Sequence, residues 1–126
     1  MKLLLDTNVV VWLLYEPDAL DPGAKRLIRP RANPAAYSAA SIWELAIKQA
    51  SGKLPYRADR IAAELRRLGL DEIAVTARHG IAAAGLPRHH KDPFDRVIIA
   101  QALEEGLVLV SRDGAFARYG VPLLQA

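Results

Sequence analysis

Asp92-Pro93-Phe94-Asp95-Arg96-Val97-Ile98-Ile99-Ala100-Gln101-Ala102-Leu103-Glu104-Glu105-Gly106-Leu107-Val108-Leu109-Val110-Ser111-Arg112-Asp113 is the stretch that decides the fold. An acid that can cap, followed by proline at the first helical position, opens a helix. The helix runs to about Glu105, and Gly106 stops it. Leu107 to Val110 is then a short, wholly aliphatic run, the pattern of a strand covered on both faces of a parallel sheet. A helix feeding such a strand must run opposite to it, because right-handed crossovers keep parallel strands aligned. Asp92 and Asp95 at the helix start therefore come to the edge where the strand exits into Ser111-Arg112-Asp113.

Working outward, Lys2 to Leu5 reads as another buried strand, followed by Asp6 and an apolar helix from about Val9 to Tyr15. A short helix covers Ala24 to Arg29, and Ala35 to Ser38 is a second strand. Helices follow from about Ile42 to Ala50, closed by Ser51-Gly52, and from Ala58 to Leu68. On the first of these, Ile42, Leu45, Ala46 and Gln49 form one stripe and Trp43, Ile47 and Ala50 another. Glu72 to Val75 is a third strand, Ala77 to Ala84 a helix and Leu86 to Lys91 a loop. Beyond Val110, Ala115 to Arg118 makes one helical turn and Val121 to Leu124 an edge strand. Alternating strands and helices predict an α/β fold, a three-layer α/β/α sandwich around a central parallel sheet of four or five strands. At 126 residues the size fits a single domain over residues 1–126.

Composition narrows the chemistry. There is no cysteine, so disulfides, thiolate metal sites and cysteine nucleophiles are excluded. The run Val9 to Tyr15 is too short to span a membrane, so a soluble, cytoplasmic protein is expected. Glycine-rich dinucleotide fingerprint, P-loop, nucleophile elbow and His-Glu-x-x-His are all missing. Lysine and arginine exceed acids by 17 − 14 = 3, and if the acids cluster, the remaining surface is more basic than that total. Arg57, Arg60, Arg67, Arg88 and Lys91 are candidate contacts to a nucleic-acid backbone.

Four acidic stations stand out: Asp6-Thr7-Asn8, Ser41-Ile42-Trp43-Glu44, Asp92-Pro93-Phe94-Asp95-Arg96 and Ser111-Arg112-Asp113. Each has an ordinary explanation. Asp6 or Thr7 can cap the first helix, Ser41 and Glu44 fit a capping box, Asp92 caps ahead of Pro93, and Asp113 precedes a turn glycine. Capping alone, however, predicts acids at helix starts anywhere, and the helices near Ala24, Ala58 and Ala77 are not opened by a comparable motif. All four stations instead map to the carboxyl edge of a parallel sheet, where ligands bind. Two like charges about 4 Å apart repel by roughly 4 kcal/mol at an effective dielectric near 20. Convergence therefore calls for divalent cations, with Thr7, Asn8, Ser41 and Ser111 placed to support them. Lys48, one turn after Glu44, is its helical ion-pair partner or a phosphate contact, and Arg96 is a solvated charge or a phosphate contact. His79, His89 and His90 read as exposed; Trp43 and Phe94 read as core.

On those residues, with Lys48, His90-Lys91-Asp92 and Ile99-Ala100-Gln101-Ala102 added, the chain resembles the PIN-domain family, specifically the toxin subunit of VapBC-type toxin–antitoxin pairs. The resemblance runs from Lys2 to about Leu123. It implies a Mg2+- or Mn2+-dependent endoribonuclease that hydrolyses RNA phosphodiester bonds with metal-activated water. Asp6, Glu44, Asp95 and Asp113 would be the acidic quartet, Asp6 and Asp95 the principal metal ligands, and Asp92 a cap. It also implies a homodimer and a cognate VapB-type antitoxin lying over the active-site groove. Three rivals stay open: a metal-independent ribonuclease using His89 and His90, a phospho-acceptor or phosphatase-like domain using Asp6, and a non-catalytic module whose acids hold a basic partner peptide. Asn8 disfavours the phosphatase, which wants an acid two residues after Asp6.

Overall fold

The computed structural model describes residues 1–28 and 33–126. Five strands, β1 (Leu3–Leu5), β2 (Ala35–Ser38), β3 (Asp71–Ile73), β4 (Val108–Ser111) and β5 (Leu123–Gln125), form one sheet in the order β3-β2-β1-β4-β5. Every pairing is parallel, with Leu5 beside Tyr37 on one side and Val110 on the other. Among the described residues six helices accompany them: α1 (Thr7–Tyr15), α2 (Pro22–Ile28), α3 (Ala39–Ala50), α4 (Ala58–Arg67), α5 (Ala77–Gly85) and α6 (Pro93–Glu105). Short 3-10 turns cover Pro17–Ala19 and Gly114–Tyr119. The expected helix end at Arg29 lies outside the described residues.

Strand alternation builds the layers. Leu3 and Leu5 point to one side and join Tyr37, Val110, Val9, Leu45, Ile61 and Leu65 in a core roofed by α1, α3 and α4. Leu4 points to the other and packs with Ala36, Leu109, Ile98, Ile99, Ala102 and Phe116 beneath α6. All three leucines of β1 are fully buried, as a central strand between two helical layers requires. The three-layer sandwich is the one expected, with five strands; β3 begins at Asp71 and ends at Ile73 rather than spanning Glu72 to Val75.

Sheet order fixes where a site can form. The chain leaves β1 toward β2 and β3 on one side, then returns to β4 and β5 on the other. The connections diverge between β1 and β4, and a crevice opens beyond their carboxyl ends at such a switch point. Asp6 and Asp113 follow those two strands.

Candidate active site

Asp6 is the first residue beyond β1, and its N–H donates to the Val110 carbonyl at 2.9 Å, clamping it against β4. Its side chain is buried and both oxygens are engaged. Oδ1 accepts from the Thr7 N–H at 2.8 Å as the N-cap of α1, and Oδ2 accepts from the Ser111 hydroxyl at 2.8 Å. Thr7 in turn shares a 2.9 Å hydroxyl contact with Ser41, so β1, β4 and α3 are joined by one buried polar chain.

Glu44 reaches the same place from α3. One of its oxygens lies 3.3 Å from Lys48 Nζ; the other, Oε1, is buried without a hydrogen-bond partner among the described residues. Asp95 comes from the first turn of α6. Asp92 caps that helix, its Oδ1 accepting from Phe94 N–H at 2.8 Å and Asp95 N–H at 3.4 Å. Asp113 caps the 3-10 turn through Oδ1, which accepts from Ala115 N–H at 3.0 Å. Capping and convergence thus coexist: three acids cap, and all five meet.

Asp6, Glu44, Asp92, Asp95 and Asp113 line a single hollow of about 210 Å³, together with Thr7, Asn8, Trp12, Lys48, Arg112 and Phe116. Burial raises the Asp6 carboxyl; the hydrogen bonds from Ser111 and Thr7 oppose this, and the charges of Glu44 and Asp113 add to it. Asp95 is pushed up to about 7, first by burial and then by Asp92, Asp6, Glu44 and Asp113. A larger hollow of about 540 Å³, bordered by Asn33, Pro34, Ala35 and Arg67, carries no carboxylate and lies where β2 begins, at the opposite edge. Chemistry, rather than size, marks the site.

The residues fit a hard divalent cation. Their donors are oxygens without imidazole or thiolate, the set that magnesium and manganese prefer. An orphaned glutamate oxygen and two carboxyls with raised pKa are what a cation would satisfy. As the side chains stand, no group of three His, Cys, Asp or Glu among the described residues is arranged to hold a metal ion. Instead, Asp6 Oδ2 accepts from Ser111, Asp113 Oδ1 caps its turn and one Glu44 oxygen pairs with Lys48.

Several expectations are corrected. Ser41 and Glu44 do not form a capping box, because α3 starts at Ala39 directly off β2 with Ser38 as its N-cap. Ser41 is thereby released to Thr7, and Glu44 falls in the second turn. Trp43 is not core: it is 65% exposed, and the stripe of Trp43, Ile47 and Ala50 faces outward. Phe94 is half-buried and meets Trp43 edge-on at 5.2 Å. A capping motif does open α5, where Thr76 and His79 bond reciprocally, and His79 is buried against Glu105 at 2.9 Å rather than exposed. Asp21 likewise accepts from Gly23 and Ala24 N–H at the start of α2. Arg96 is neither solvated nor aimed at phosphate; it donates to the carbonyls of Ala83, Leu86, Pro87 and His90. His90 turns inward, while His89 stays exposed against Tyr119. Arg67 borders the hollow at the edge away from the acids, since α4 leads into β3 and so runs against the strands. Arg88 and Lys91 border a basic hollow shared with His90 and Arg96.

Trp12 and Arg112 escape the sequence reading. The Arg112 guanidinium lies 4.1 Å over the Trp12 ring, and its Nη2 donates to the Ala19 carbonyl. Arg112 stands between two site residues in sequence, but nothing local foretells that Trp12 will lie beneath it.

The PIN-domain family model matches residues 3–122. Ribonuclease VapC22 of Mycobacterium tuberculosis (strain ATCC 25618 / H37Rv) is 32% identical over 113 residues, covering 87% of this chain and 85% of that protein. Among solved structures, VapBC2 from Rickettsia felis, bound to a DNA fragment from its promoter, superposes with a TM-score of 0.73 at 19% identity, covering 99% of this chain and 98% of that one. DNA-bound VapBC from Salmonella typhimurium gives 0.70 at 18% identity, over 99% and 98% of the two chains. With its acids gathered at the carboxyl edge of a five-stranded parallel sheet, the chain belongs to the PIN-domain family, and to its VapC type.

Proposed function

We propose that this chain is the toxin half of a VapBC-type pair, a cytoplasmic endoribonuclease that requires Mg2+ or Mn2+ and is held in check by a VapB-type antitoxin. The observation that carries the reading is the convergence of Asp6, Glu44, Asp95 and Asp113 on one hollow. A bound divalent cation supplies a more acidic water as nucleophile and neutralises charge on the phosphate. Asp6 and Asp95 would be its principal ligands, and Glu44 and Asp113 would complete the set. Ser111 orients Asp6 through its 2.8 Å bond, and Thr7 with Ser41 stiffens the floor beneath it. Arg112, braced on Trp12, and Lys48 stand at the rim as cations for flanking phosphates. Arg88 and Lys91 extend a basic path past His90. Water, not the ribose 2′-hydroxyl, attacks, so the products end in 5′-phosphate and 3′-hydroxyl.

The exposed Trp43 lines an apolar groove with Val75, Pro93, Phe94 and Val97. It lies beside the acids, since Trp43 precedes Glu44 and Phe94 precedes Asp95, and it suits an antitoxin segment or a second copy of the chain. Incubation of RNA with purified protein, with and without EDTA, followed by end analysis, tests the proposal. Metal-dependent cutting to 5′-phosphate ends is expected. Cyclic phosphate ends formed in EDTA would favour the histidine mechanism instead, and absence of cutting with intact Mn2+ binding would favour a binding module.

A further inference from the structure

We infer that His90 is a positioning residue, which holds the Asp113 carboxylate toward the acid hollow; the inference rests on the proposed role of Asp113 as a cation ligand. The loop that carries His90 is anchored from two sides. Arg96 Nη1 donates to the Pro87 carbonyl at 2.9 Å and the His90 carbonyl at 3.2 Å, while Nη2 donates to Ala83 and Leu86 at 2.8 Å each. On the other side the His90 N–H donates to the Tyr119 hydroxyl at 2.6 Å. The backbone at His90 is therefore fixed relative to both α6, the source of Asp95, and the 3-10 turn that Asp113 caps.

The imidazole is fixed as well. It meets the Phe116 ring edge-on at 5.0 Å and stacks on Tyr119 at 6.0 Å. This clamp places Nε2 3.4 Å from Oδ2 of Asp113. Nε2 is buried and has no aligned hydrogen-bond partner among the described residues. A ring present only for packing has no reason to bury a nitrogen facing a carboxylate.

Asp113 is the acid that needs such help. Its side chain is 45% exposed, and among the described residues only Oδ1 is engaged, by the Ala115 N–H. Asp6, by contrast, has both oxygens held within the buried core of the site. An exposed carboxylate with one free oxygen explores several rotations. With the proton on Nε2, a turn of the carboxylate would bring Oδ2 into line with it and hold Asp113 at one angle to the hollow. Groups that orient metal ligands in this way typically contribute 10- to 100-fold in metal affinity, as an order of magnitude.

The test separates ring packing from hydrogen bonding. His90→Phe keeps an aromatic ring between Phe116 and Tyr119 but removes the donor; His90→Gln keeps a donor near Nε2 and removes the ring. Mn2+ titration calorimetry on the full RNA-free chain, alongside thermal melts, is compared with Asp113→Asn and the double variant. His90→Phe should melt close to wild type yet bind Mn2+ about tenfold more weakly, and His90→Gln should recover most of that loss. The double variant should bind no worse than Asp113→Asn alone, because His90 acts through Asp113. Wild-type affinity in His90→Phe, or additive losses in the double variant, would overturn the inference while leaving the cation reading of Asp113 intact. Unchanged binding by Asp113→Asn would remove that reading, and the inference with it.

Discussion

Asp95 concentrates the electrostatic problem of this molecule in one side chain. Burial and then the neighbouring acids hold its carboxyl up to about 7, so in the metal-free protein near neutral pH it sits poised between two unfavourable states, a buried charge or a lost one. Asp95→Asn removes that conflict. It is expected to raise the melting temperature of the metal-free protein at pH 8, read by scanning calorimetry. The same variant should lose RNA cutting well beyond the roughly 100-fold that follows loss of a supporting group. Ser111 makes a different prediction. Its fully buried hydroxyl donates to Asp6 and accepts from the Asp113 N–H at 3.1 Å. Ser111→Ala leaves both groups short of a partner, and urea unfolding should show a loss of about 2 kcal/mol.

At the scale of elements, the site depends on how each helix begins. Ser38 caps α3 directly off β2, which sets the helical phase that turns Ser41 and Leu45 inward and leaves Trp43 outside. Ser38→Ala should destabilise the fold by about 1 kcal/mol in denaturant melts, the usual effect of losing such a cap. Helix α6 starts with Asp92 and Pro93, and Arg96 in its first turn ties down four loop carbonyls. Arg96→Ala frees that loop. A loss of about 3 kcal/mol, together with new protease cleavage at Arg88 or Lys91, is the expected outcome. Arg96→Lys should rescue little, because an ammonium on a flexible stem cannot serve four carbonyls in the geometry of a planar guanidinium.

For the whole molecule, the raised carboxyls couple folding to pH. Asp95 keeps its proton up to about 7 when folded, whereas the unfolded chain releases it near 3.8. Across that interval folded Asp95 binds more protons, so its contribution to the stability of the metal-free protein is fully present at the acid end and is lost as pH rises through about 7. Asp6, also raised, acts in the same direction. Thermal melts between pH 5 and 8 should show the decline in EDTA and a flatter profile with Mn2+. A metal-free profile that climbs over this range would contradict the placement of these acids. No helix among the described residues is long and apolar enough to cross a membrane.

The layered parallel fold was legible in residues 92–113 and in Leu3 to Leu5, because buried parallel strands must be continuously apolar and helices that feed them must cap at the opposite turn. The acidic stations at Asp6, Asp95 and Asp113 were legible for the same reason, each lying where a strand exits or a crossover helix begins, whereas Glu44 was placed by a capping box that does not form. Tertiary structure alone decided the phase of α3, the burial of His79, the four carbonyls on Arg96 and the Arg112–Trp12 stack. Periodicity and spacing report which face of an element is apolar. Which distant side chain completes a hydrogen bond or a ring contact depends on how the layers dock, and that information is absent from any local stretch of chain.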